Sequence, residues 1–240
     1  MKNLLQKSLG MLGYRLVSTS TEPRVDSMDR ALYRILQRNH TFHTVVDIGA
    51  SNGCWTESLM KYFPQCEYLL VEAQPLHEAA LVDFVSKHNN AQFVLAAAGE
   101  AKGEIFFEAG DPIGGQASYV AYPANNIVVP VTTVDDEIRS RGLPGPFLLK
   151  FDTHGFEVPI LNGAAQTLSD TEVIVMECYN FNLAPECLLF YQMCDHLQSL
   201  GFRCIDLVDP LHREHDGSFW QADLVFVRAN RPEFSYTRYI

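Results

Sequence analysis

Short, nearly continuous apolar runs alternate along the chain with longer amphipathic stretches. Five runs read as strands, over 44–49, 67–73, 92–98, 147–152 and 171–177. Unbroken apolarity suits strands covered on both faces. Helical spacing fills the intervals, over 55–62, 77–88, 134–140 and 158–168. Strands alternating with helices predict a parallel sheet sandwiched between helical layers.

The end of the chain follows another rule. A helix over 186–200 stops at Gly201, a residue suited to helix termination. Strands over 202–207 and 222–227 come next, joined by a polar loop over 209–221. With no helix between them, they predict an antiparallel pair at the sheet edge. Segments 103–108 and 128–132 look like extra strands, and the glycine-rich stretch 109–126 between them reads as a loop. Ahead of the first strand, a helix is expected over 27–38. Further upstream Leu4, Leu5, Leu9, Leu12 and Leu16 recur near helical spacing, with Lys2, Lys7 and Arg15 between them. Such a helix packs on its own domain, on a second subunit to make a homodimer, or on an anionic membrane as a peripheral contact. Residues 1–40 therefore read as an N-terminal helical extension, and 41–240 as one domain.

Charge narrows the function. Eighteen Lys and Arg face 29 Asp and Glu, a net charge of −11. Nucleic-acid affinity rests on neutralising phosphates, so a nucleic-acid partner is not expected. The six cysteines form no C-x-x-C pair and read as reduced core thiols. No apolar run reaches the roughly 18 residues of a membrane span. Gln6 and Lys7 interrupt the opening segment, which makes a poor signal peptide and favours a cytoplasmic location.

The densest chemical signal is Asp47-Ile48-Gly49-Ala50-Ser51-Asn52-Gly53. It joins a buried strand to a helix at the carboxyl edge, where open α/β sheets bind ligands. Its G-x-x-x-G spacing is neither the dinucleotide fingerprint nor a phosphate loop, which disfavours a nicotinamide dehydrogenase. Asp47 would repel phosphate and bind an ammonium. Glu72 ends the second strand, next to Ala73, where a carboxylate can accept hydrogen bonds from ribose hydroxyls. A cation-tolerant turn plus a ribose acceptor is what S-adenosylmethionine needs. Asp152, His154 and Glu177 stand at the ends of the fourth and fifth strands, so they are the candidates for removing an acceptor's proton and orienting it. Asp152 and Glu177 would also suit a divalent cation, but no third spaced carboxylate compels one, and no metal ligand is assigned. Tyr179 and Phe181 follow the fifth strand and would flank an acceptor or the sulfonium. Lys150, inside a buried strand, has no evident role.

These segments together resemble the FkbM family of S-adenosylmethionine-dependent methyltransferases. VVDIGASNGCWTESL is similar to the family's first motif, and VEAQP (71–75), VTTVDDEI (131–138), LLKFDTHGFEVPILNGA (148–164) and MEC (176–178) continue the match. The segment Asp152-Thr153-His154-Gly155 departs from the family's D-x-E-G by placing an imidazole where it has glutamate. The resemblance implies a class I methyltransferase (Rossmann-like) α/β fold, a seven-stranded, mostly parallel sheet with an antiparallel edge strand. It implies S-adenosylmethionine as cofactor and O-methylation of a sugar, glycoconjugate or other natural product. It also implies that Gln116 and Ser118, in the inserted loop, close on the cofactor beside Asp47, Gly49, Ala50, Ser51, Asn52, Gly53, Glu72 and Ala73. The alternatives are N- or C-methylation of a small metabolite and a catalytically silent cofactor-binding partner subunit.

Overall fold

The computed structural model describes residues 26–185 and 187–240. The leucine-spaced helix expected before residue 26 lies outside them. The described chain opens with α1 (Met28–Gln37), then β1 (Thr44–Ile48), α2 (Cys54–Met60), β2 (Glu67–Glu72), α3 (Glu78–Lys87) and β3 (Ala91–Leu95). Four strands follow, β4 (Ala97–Ala98), β5 (Gly103–Glu108), β6 (Gln116–Ser118) and β7 (Asn126–Thr132). Next come α4 (Val134–Arg141), β8 (Phe147–Phe151), α5 (Glu157–Asn162), α6 (Ala165–Ser169) and β9 (Thr171–Tyr179). The chain finishes with α7 (Phe190–Ser199), β10 (Phe202–His212) and β11 (Phe219–Arg228).

The main sheet has seven strands in the order β10-β11-β9-β8-β1-β2-β3. β11 runs antiparallel to both neighbours, β9 and β10, while β9, β8, β1, β2 and β3 pair in parallel. The antiparallel strand thus lies one place in from the edge, a correction to the edge position expected. The reason is visible in burial: Val225, Phe226 and Val227 of β11 are fully covered, whereas Leu207 and Leu211 of β10 are exposed. Side chains alternate between two cores. Val46, Leu149 and Ile174 join one with α5 and α7. Val45, Leu148 and Val173 join the other with α1 and α2.

α1 belongs to that second core. Ala31, Leu32 and Ile35, spaced three and four apart, are its buried stripe. Ser27 caps it by accepting from the Arg30 amide, and Arg34 pairs with Asp206 of β10 at 2.6 Å.

Five other expectations change. The apolar run 92–98 splits, because β4 leaves the main sheet and pairs with β7. A second sheet of order β4-β7-β5-β6 results, with β6 inside what read as loop. The helix over 158–168 breaks after Asn162, where a Cβ on Gly163 would lie 1.9 Å from the Gly99 carbonyl oxygen. The polar connection shortens to 213–218, since β10 and β11 pair as far as His212 and Phe219. The six cysteines are free, but Cys54 is exposed and so is not a core thiol. Among the described residues no helix is long and apolar enough to cross a membrane.

Candidate functional site

The site begins at the turn after β1. The amides of Gly49 and Ala50 both donate to the Val71 carbonyl, at 2.9 and 3.1 Å. Gly49 has φ +79°, and a Cβ there would stand 2.0 Å from the Asp152 carbonyl oxygen. Only glycine permits both the conformation and the approach of β8. Ser51 follows with φ +50°, which turns its amide onto Glu72 Oε2 at 2.6 Å. The Gln74 amide donates to Oε1 at 2.7 Å. Two backbone amides therefore fix the buried Glu72 carboxylate beside the turn.

A pocket of about 630 Å³, its mouth included, opens there. Gly49, Ser51, Glu72 and Ala73 line one side, and Ala97, Phe107, Ala117 and Phe156 give it an apolar floor. The strand alternation of β6 turns Ala117 inward, so Gln116 and Ser118 do not line the pocket. Ser118 accepts instead from the Val120 amide. Ala50, Asn52 and Gly53 also lie outside the lining. Asn52 accepts from the Cys54 amide at the start of α2.

Asp47 sits behind the turn rather than in the pocket. Thr56 donates to its Oδ2 at 2.7 Å, and Oδ1 lies 3.3 Å from Lys150 Nζ. The ammonium that Asp47 meets is thus the protein's own. Burial pushes the Asp47 carboxyl up and Lys150 pulls it back. Lys150 also donates to Asp152 Oδ2 at 3.0 Å and to the Gly49 carbonyl at 3.4 Å. Burial alone would lower its pKa, but Asp47 and Asp152 more than reverse this.

Asp152, His154 and Glu177 do converge, their polar atoms lying within 4.8 Å of one another. His154 Nδ1 is 2.6 Å from the Tyr179 hydroxyl and 3.4 Å from Glu177 Oε2. Its Nε2 donates to the Ile113 carbonyl at 2.9 Å and lies 3.8 Å from Asp152 Oδ1. Tyr179 donates to Glu177 Oε2 and Gln221 donates to Oε1. Burial would lower the His154 pKa, yet Glu177 and Asp152 hold it up at about 9. Burial raises Asp152, while Lys150 and His154 bring it below the usual carboxylate range. Asp223, next on β11, is pushed up to about 7 by burial and by Glu177 and Asp152. A divalent cation would find its ligands in this triad only after His154 gave up a hydrogen bond. Phe181 stacks on Trp220, 5.1 Å between centroids, away from the pocket lining.

Sequence reading left out Gln74, His77, Gln221 and Asp223. Gln221 and Asp223 pair opposite Tyr179 and Glu177, and that placement depends on a register no local pattern reveals.

The methyltransferase FkbM domain model matches residues 47–204, more than half of the chain. The chain belongs to the FkbM methyltransferase family. A search of curated protein sequences finds no match. Among solved structures, this FkbM-family chain is similar to precorrin-6y C5,15-methyltransferase from Geobacter metallireducens, at 13% identity over 89% of this chain and 93% of that one (TM-score 0.46). It is similar to an rRNA methylase from Streptococcus thermophilus, at 11% identity over 88% and 99% (TM-score 0.49). A third is Burkholderia thailandensis 1,6-didemethyltoxoflavin-N1-methyltransferase, solved with S-adenosylhomocysteine, at 10% identity over 85% and 80% (TM-score 0.47).

Proposed function

We propose that this FkbM-family methyltransferase uses S-adenosylmethionine to methylate a hydroxyl group of a sugar, a glycoconjugate or another natural product. The observation that carries the reading is the Glu72 carboxylate, fixed one strand from the Gly49 turn in the wall of the pocket. Each oxygen accepts one amide and keeps a lone pair for a ribose hydroxyl. Among the described residues, Glu72 and Asp152 line the pocket and no lysine or arginine does. That charge tolerates a sulfonium and disfavours a pyrophosphate. When bound, S-adenosylmethionine supplies a methyl group on a positively charged sulfur.

The chain's own groups handle the acceptor. Asp152, kept ionised by Lys150, receives the hydrogen bond of the acceptor hydroxyl. His154 serves as the stronger base once it sheds a proton, and Glu177 orients the acceptor. A positioned base contributes roughly 10²–10⁴-fold. The test is mass spectrometry of candidate sugars incubated with isotopically labelled cofactor. Asp152→Ala, His154→Ala and Glu177→Ala are each expected to lose turnover by at least about a hundredfold at saturating cofactor. Unchanged turnover in all three refutes the assignment. Cofactor binding without any methylated product points to a silent binding subunit.

A further inference from the structure

Three side chains at the sheet edge grip three consecutive carbonyls in the connection from β5 to β6. Gln74 Nε2 donates to the Asp111 carbonyl at 2.8 Å. His77 Nε2 donates to that of Pro112 at 2.8 Å, and His154 Nε2 to that of Ile113 at 2.9 Å. Pro112, Ile113 and Gly115 form the outer wall of the pocket, so these bonds hold the wall shut.

His154 is engaged on its other side too. The single Tyr179 hydroxyl proton goes to Glu177, so Nδ1 must donate to the tyrosine oxygen. A carbonyl only accepts, so Nε2 donates as well. The bonds run unbroken from Ile113 through His154, Tyr179 and Glu177 to Gln221. In this closed arrangement the imidazole carries two protons and has no lone pair left to receive a third.

We propose that the 109–115 loop is a latch shared by both halves of the site: cofactor exchange requires Ile113 to leave His154, and only then does Nε2 face the acceptor. The proposal rests on the reading of the pocket as the cofactor site. Gln74 and His77 line the pocket themselves and also hold the loop by its carbonyls. Tyr179 does not itself line the pocket, but it holds His154, which does and which bonds the loop. Coupling of this kind is reciprocal: what loosens one side loosens the other.

The test uses the full chain and S-adenosylhomocysteine, followed by its release rate in stopped flow and by hydrogen–deuterium exchange over 109–118. Gln74→Met with His77→Phe removes two donors at similar side-chain size and is expected to speed release about tenfold. His77→Gln keeps a donor and is expected to stay near the wild-type rate. Tyr179→Phe keeps the ring and, well below its melting temperature, is expected to speed both release and loop exchange severalfold. Wild-type kinetics in Tyr179→Phe and in the double variant overturn the latch and leave the cofactor reading standing. Failure of the wild type to bind S-adenosylhomocysteine overturns both. Should Tyr179→Phe not fold, the double variant decides through the ¹⁵N shifts of the His154 ring, which move only if loop and cluster are coupled.

Discussion

The Lys150 ammonium lies 3.0 Å from the Asp152 carboxylate, directly behind the turn that closes the pocket. It also stands 3.3 Å from Asp47, and both Lys150 and Asp47 are buried. Removing one partner leaves an uncompensated charge in the core, at a cost of about 3–5 kcal/mol. Lys150→Met is therefore expected to lose stability on that scale in urea unfolding. Adding Asp47→Asn restores neutrality and should recover most of the loss, because Asp152 still reaches solvent.

Gly49 and Gly103 make a matched pair. A Cβ on Gly49 meets the Asp152 carbonyl oxygen at 2.0 Å, in a left-handed conformation, whereas one on Gly103 meets nothing within 4 Å. Gly49→Ala is expected to cost about 2–3 kcal/mol and to weaken cofactor binding. Gly103→Ala is expected to leave both close to wild type. Thermal melts and cofactor titration of the two variants check this.

The turn was legible because its own determinants are contiguous: a buried strand running straight into two glycines. The second sheet was less so, since β6 spans only Gln116–Ser118 inside a glycine-rich segment. Asp47 illustrates another limit. Its acidity read as a feature of the turn, but the cation it meets is two residues before Asp152 on the adjacent strand. The Tyr179–Glu177–Gln221 contacts depend on the antiparallel register of β11 against β9. The sequence pattern placed that pair of edge strands but not their order.

His154 makes stability depend on pH. Its pKa stands near 9 in the folded protein against 6.5 for an unperturbed imidazole. A raised pKa means that its contribution is complete below 6.5 and is lost as pH rises through about 9. Wild type should thus lose more stability than His154→Asn over that window; asparagine tolerates the φ of +52° at this position. His40 acts in the opposite sense. Burial and Arg231 lower it to about 4, so its contribution fades as pH falls from 6.5 through 4. Melting curves across both windows, for wild type and His154→Asn, separate the two.

Whether the Gly49 turn and Glu72 hold S-adenosylmethionine is decided by calorimetric titration of wild type and Glu72→Ala. Wild type is expected to bind the cofactor saturably, one to one, and the variant at least about tenfold more weakly. A wild-type protein that takes up no cofactor, or a variant that binds it as tightly, rules out this assignment of the pocket.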